Sequence, residues 1–137
     1  MAIQMDVTTR NARLDTIEST NGTTCSLEIR AGAVPASCST ADAGAVLVTI
    51  DLPTNWMADA AAGAKAKAGT WQDASADAGG TAAHFRIYKY QVTKDETTCF
   101  MQGTVGQGSG DLSLDNTNIA ATQVVTITAF TLTDGNA

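Results

Sequence analysis

Residue types able to do acid–base or nucleophilic chemistry are few in this sequence. His84 is the single imidazole among 137 residues, so any Ser–His or Cys–His arrangement would have to use it. It stands directly before the alternating run FRIYKYQV, and no motif around a Ser, Cys or Asp marks a nucleophile elbow. A structural or exposed histidine is expected. Three cysteines, Cys25, Cys38 and Cys99, form no C-x-x-C, and with one histidine they supply no familiar zinc-ligand spacing. They are expected as buried or half-buried thiols, with one pair able to bridge in an oxidising medium.

The GQGSG stretch at 106–110 resembles a phosphate loop only in its glycines. A phosphate loop ends in Gly-Lys-Ser/Thr and opens a helix, whereas Asp111 and a β-patterned segment follow here. Glycine in a tight or mobile β-turn is the expected use. Asp111, Asp115 and Asn116 offer hard oxygens to a calcium ion, but EF-hand spacing and its terminal Glu are missing, so Asx turns are expected. Trp56 and Trp71, with Tyr88 and Tyr90, could build a sugar-stacking face; core or interface packing is the plainer use of each Trp. Tyr88 and Tyr90 share one strand face, which implies a surface partly covered by something. No catalytic residue, cofactor or metal ligand is nominated, and the chain reads as a non-enzyme.

Charge narrows the partners. Fourteen acids against eight bases give a net charge of −6, and only 16% of residues are charged. The bases are scattered, so neither the phosphates of a nucleic acid nor an anionic membrane surface finds a basic patch. No stretch approaches the roughly 20 apolar residues that cross a bilayer. The start, MAIQMDVTTR, has no basic n-region and no apolar h-region, so synthesis in a cytoplasm without a signal peptide is expected. Low charge with abundant Thr, Ser, Asn and small residues suits a β-rich protein whose surface is partly covered by neighbours.

The elements that would position these residues follow from periodicity. Residues 6–19 place Val7, Leu14 and Ile17 near one helical stripe, with Asp6 or Thr8 as N-cap and Asn21-Gly22 as the stop. That stripe is thin, so the helix needs a sheet or another subunit to lie on. Beyond Gly22 the period becomes two. Cys25, Leu27 and Ile29 alternate with Ser26, Glu28 and Arg30 in a half-buried strand, and AVLVTIDLP forms another after a loop over 36–44. Residues 54–68 suggest one or two helical turns and an ordered connection anchored by Trp56 and Met57. Strands are expected from Gly69, over HFRIYKYQV, over 98–105 as its hairpin partner, over DLSLDN and over 124–133. About eight short strands with Gly-rich turns predict a single all-β domain over 1–137: a helical arm (1–22) and an antiparallel β-sandwich or jelly roll (23–137).

Several stretches carry a resemblance: RNARLDTIE, LEIRAGAVP, LVTIDLP, GTW…GGTAAHFRIY, and CFMQGTVGQGSGDLSLDNTNIAATQVVTITAFTLTDGN. In order along most of the chain, they resemble small structural virion proteins of tailed bacteriophages, most of all the head decoration, or cement, proteins. After FRIY this sequence departs from the pattern, carrying the longer KYQVTKDETT where a short hairpin is expected. The resemblance implies a non-enzymatic protein on the capsid surface, made in the host cytoplasm. It would bridge adjacent subunits of the major capsid protein and associate with itself as a dimer or trimer, touching neither nucleic acid nor membrane. A tail-tube, connector or fibre-associated subunit is the alternative within virions; a free carbohydrate-binding module is the alternative outside them. The contacts are expected in the segment 1–17 and the loops 54–68 and 106–110, which are apolar or backbone-rich without being core strands. The candidate interface residues are Ile3, Met5, Val7, Leu14, Ile17, Trp56, Met57 and Gln107.

Overall fold

The computed structural model describes residues 3–135, so Met1 and Ala2 of the expected contact arm lie outside the described residues. A single helix, α1 (Val7–Asn21), precedes all the strands. Asp6 caps it as the sequence predicts: its Oδ1 accepts from the Thr8 amide at 2.7 Å and its Oδ2 from the Thr9 hydroxyl at 2.9 Å. Gly22, at φ 85°, ends the helix and donates its N–H to the Glu18 carbonyl at 2.8 Å.

Ten strands follow among the described residues: β1 (Ser26–Arg30), β2 (Val46–Asp51), β3 (Ala64–Ala66), β4 (Gln72–Asp73), β5 (Gly80–Thr81), β6 (His84–Tyr88), β7 (Cys99–Gly106), β8 (Leu112–Leu114), β9 (Asn118–Ile119) and β10 (Val125–Thr133). The main sheet runs β2-β1-β6-β7-β8-β10-β3, with β4 also on β10, and β5 pairs with β9 apart from it. The β6–β7 hairpin forms in the expected antiparallel sense.

The sheet curls strongly. Phe85 of β6 and Phe130 of β10 sit three strand positions apart, about 14 Å on a flat sheet. Their ring centroids nevertheless meet edge-to-face at 5.6 Å. Trp71 stacks against Phe130 at 5.5 Å and Trp56 against Trp71 at 6.2 Å, so the aromatics form one chain through the core. The two ends of the sheet are then tied together: the Thr49 amide of β2 donates to Asp73 of β4 at 3.2 Å, and the Asp77 amide to the Leu47 carbonyl at 2.8 Å.

Two expectations are corrected. The sheet is mixed rather than antiparallel, because β7 and β8 run parallel through Val105↔Leu112 and Gly106↔Ser113. Five residues suffice for the connection because its glycines reverse the chain without strain: Gly108 and Gly110 sit at φ 69° and 77°, and a Cβ on Gly106 would meet the Ser109 hydroxyl at 2.3 Å. The helical turns expected over 54–68 are absent. Ala62 and Gly63 turn the chain at positive φ, and β3 pairs with the end of β10. Helix propensity gains Ala only tenths of a kcal/mol per residue, too little to outweigh a sheet edge offering a ladder.

β1 and β6 also differ from the half-buried strands that alternation implies. Every residue of both is buried. Their apolar side chains face the core, and their polar side chains are roofed by the loop between β1 and β2.

Candidate functional site

The roofed face collects four of the five buried charged or imidazole side chains among the described residues, Lys65 being the exception. Glu28 and Arg30 project from β1, His84, Arg86 and Tyr88 from β6, and Gln102 from β7; opposite residues on paired strands share a face. The loop 31–45 brings Asp42 down onto them. Arg86 is fully buried and its Nη1 ion-pairs with Asp42 Oδ1 in a very short contact. Its Nη2 donates to the Ser37 carbonyl at 2.8 Å, the Thr40 carbonyl at 2.9 Å and Gln102 Oε1 at 2.9 Å. Gln102 in turn donates to the Pro35 carbonyl at 2.6 Å. Arg30 holds Glu28 at 2.7 Å, Asp42 Oδ2 at 3.1 Å and the Gly44 carbonyl at 3.1 Å. The Tyr88 hydroxyl donates to Asp42 at 3.0 Å. One guanidinium thus organises the loop's backbone carbonyls, and one carboxylate joins both arginines.

The electrostatics follow from burial. Burial alone would lower the pKa of Arg30 and Arg86, but hydrogen bonds to Glu28 and Asp42 outweigh it and both stay charged. The Tyr88 hydroxyl is pushed up, first by burial and then by the charge of Glu28. Glu28, Arg30, Asp42, Arg86, Tyr88 and Gln102 bond one another and the loop backbone, and together they form a clamp that holds the loop on the sheet.

His84 lies on the same face, fully buried, its Nδ1 2.8 Å from the Gly32 carbonyl. That contact makes Nδ1 the protonated nitrogen; Nε2 is buried without a hydrogen-bond partner. Burial first, then the charges of Arg30 and Arg86, pull its pKa below the usual histidine value. Unfolded His84 therefore takes up its proton first as the pH falls. Stability from this group is complete above pH 6.5 and is lost as the pH drops from there toward the lower folded value. We expect up to ~1.4 kcal/mol lost per pH unit in that window. Urea midpoints at pH 7 and pH 5 check it: His84→Asn should flatten the difference.

A second clamp holds α1. Asn11, Asp15 and Glu18 share one helical face and accept from backbone amides of the 57–63 segment: Gly63 to Asn11 at 2.9 Å, Ala60 to Asp15 at 2.9 Å, Met57 to Glu18 at 3.1 Å. Buried Lys65 of β3 joins them, 2.7 Å from Asp15 and 3.0 Å from Glu18. Arg13 pairs with Asp134 at 3.2 Å, and Arg10 donates to the Asp134 carbonyl at 3.0 Å. The sequence stripe Val7–Leu14–Ile17 is only part of the buried face: Leu14 is buried, Ile17 packs on the core edge, and Val7 is exposed.

The GQGSG loop borders two open cavities, of about 330 and 410 Å³. The larger is a notch between β7 (Met101, Gln102) and the end of β10 (Thr131–Thr133), beyond the point where short β8 stops separating them. Asp111 at its rim accepts from the Thr104 amide and hydroxyl, both at 2.8 Å, which lowers its pKa. Asp115 accepts from the Thr126 amide at 3.3 Å, and Asn116 from the Asn118 amide at 3.0 Å. Only Asn116 makes the expected Asx turn; Asp111 and Asp115 instead accept from backbone amides of other strands, 7 and 11 residues away. Among the described residues no group of three His, Cys, Asp or Glu is arranged to hold a metal ion, and no helix is long and apolar enough to cross a membrane.

The expected interface residues do not gather in one patch. Trp56 and Met57 are wholly buried, Trp56 donating its indole N–H to the Gly22 carbonyl at 3.1 Å. Trp71 and Tyr88 are buried too, so no aromatic sugar platform forms from them. Ile3, Val7 and Gln107 are exposed, and Met5 is half-buried with its sulfur 3.4 Å from Arg13. Sequence reasoning did not single out Val92 or Val124, which are exposed, whereas Tyr90 was noted and is exposed as well. Alternation over HFRIYKYQV carries a strand as far as Val92, but the strand stops at Tyr88, and the longer KYQVTKDETT stretch is the local signal of that departure. Comparison with protein-family models, curated proteins and solved structures returned no match for this chain.

Proposed function

We propose that this chain is a structural virion protein that decorates and stabilises a capsid exterior, bridging adjacent subunits of the major capsid protein and associating with itself as a dimer or trimer. One observation carries the reading: four of the five large exposed apolar side chains among the described residues sit at opposite ends of α1, the fifth, Val124, preceding β10. Ile3 and Val7 mark its start; Tyr90 and Val92 belong to the tip whose base, Lys89, meets Thr24 just past the helix end. Fifteen helical residues span about 22 Å. Two apolar contacts that far apart reach two different neighbours at once, which is what bridging requires. In this reading the halves of the curled sheet, β2-β1-β6-β7 and β8-β10, act as the layers of a β-sandwich. The charge of −6 suits a surface facing away from packaged nucleic acid.

The experiment is a particle-binding assay. Purified particles should carry this chain at a copy number near that of the major capsid protein; a handful of copies would indicate a connector or fibre-associated part, and none would sink the reading. Removing residues 1–5, which leaves the Asp6 cap in place, and Val92→Ser should each lower occupancy at least tenfold without changing the β circular-dichroism signal. Removing all of 1–17 is a poor test, because it would strip Asn11 and Asp15 from the helix clamp.

A further inference from the structure

We infer that Cys38 and Cys99 form an oxidisable pair whose disulfide locks the loop 31–45 onto the sheet. Cys38 lies in the roofing loop, and its backbone is pinned: the Ser37, Cys38 and Thr40 carbonyls all accept from Arg86 Nη2, at 2.8, 3.3 and 2.9 Å. Cys99 opens β7 directly opposite Tyr88, so it points to the same roofed face as Tyr88 and Arg86. The two thiols are side-chain neighbours there, and both are half-buried. Cys25 lies at the same end of the sheet, just before Ser26, which is in register with Tyr88 and so with Cys99, but on the opposite face. It is fully buried in the apolar core, with its thiol against the Asn21 and Gly22 carbonyls at 3.6 and 3.5 Å.

The oxidant is a small-molecule disulfide such as oxidised glutathione. The Cys38 thiol loses its proton and attacks one sulfur of the oxidant, forming a mixed disulfide and releasing one reduced thiol. Cys99 then loses its proton and attacks the Cys38 sulfur, releasing the second. One disulfide and two protein thiols become one protein disulfide and two small thiols. Cys99 is the resolving sulfur because burial first, and Cys38 beside it, push its pKa up to about 12, so its thiolate is scarce. In a reducing cytoplasm the glutathione pool keeps both thiols reduced, and an oxidising medium supplies the switch. The bridge does not depend on the chain's place in a particle.

The test incubates the folded chain with millimolar oxidised glutathione, quenches with acid, and counts thiols after denaturation. Three free thiols per chain should fall to one, and peptide mapping should find Cys38 joined to Cys99 with Cys25 free. The bridge closes a loop of about 60 residues, so the unfolding midpoint should rise by on the order of 10 °C. Cys38→Ser should keep its two thiols and show no rise. Three remaining thiols, a bridge that includes Cys25, a bond between two chains, or glutathione left on Cys38 would each overturn the inference.

Discussion

Arg86→Met lowers the unfolding free energy by about 3–5 kcal/mol, the cost of removing one partner from a buried ion pair. The guanidinium is the largest buried charge under the roofing loop, and its removal strands several groups at once. Asp42 loses its Arg86 contact and keeps only Arg30 and Tyr88. The Thr40 carbonyl loses its Arg86 donor, and the Ser37 carbonyl keeps only the Thr40 amide, in a place where water must enter to replace the guanidinium. Methionine fills similar volume, so the loss is electrostatic rather than a cavity. The loop should loosen with it, and amide exchange over 36–44 should accelerate more than exchange in β1 or β10. Chemical denaturation reads the global term. The double variant Arg86→Met with Asp42→Leu distinguishes mechanisms: if the pair acts as argued, the double change costs less than the single one, because no uncompensated charge is left behind. Costs that simply add would show that the two side chains act separately.

That clamp marks the limit of what periodicity reveals. Alternation places β1, β2, β6, β7, β8 and β10 to within a few residues, because each carries apolar residues at every second position over at least part of its length. It also assigns the other face to solvent, and there it fails for Glu28, Arg86 and Tyr88. Nothing local in SLEIR or HFRIY says that a loop will cover them; the covering residue, Asp42, lies in a Ser/Thr/Asp-rich stretch that reads as ordinary loop. The one legible hint is the pair of tyrosines on a shared face, and the structure buries one and exposes the other. The parallel β7–β8 pairing is invisible for a similar reason: a five-residue Gly-rich connection ordinarily makes a hairpin, and its actual path depends on contacts such as Asp111 with Thr104. Two-residue strands such as β5 and β9 are too short to carry a period. The helix was legible in its caps and misjudged in its face, since Asn11, Asp15 and Glu18 dock through carboxylate and amide oxygens rather than through apolar area.

The docking of that helix leads to the second large effect. Asp15→Asn with Glu18→Gln should cost about 3–5 kcal/mol, more than Lys65→Met. The ordering follows from who is buried. The Lys65 side chain is 1% exposed, while Asp15 is 45% exposed. Without Lys65 the carboxylates hydrate where they stand; without the carboxylates an ammonium is left in the protein with neutral acceptors alone, the Ala58 carbonyl at 2.9 Å and the two amide oxygens. Both amides still accept from the Ala60 and Met57 N–H groups, so the double variant removes charge and leaves the backbone bonds. The pH dependence separates this account from simple loss of packing. In the native chain burial by itself would lower the Lys65 pKa, but the bonds to Asp15 and Glu18 outweigh it and the pKa ends above its ordinary 10.5. Stability from this group is then fully present below 10.5 and is lost as the pH rises through the folded value. In the double variant burial acts unopposed and the folded pKa falls below 10.5. The unfolded state then binds the extra proton, and stability increases with pH up to 10.5. Burial raises the pKa of Cys25, Cys99 and Tyr88, which lowers stability with rising pH in both chains, so denaturation midpoints between pH 8 and 10.5 should fall less steeply in the variant than in the native chain. Parallel profiles would mean that Lys65 is held by something other than these two carboxylates.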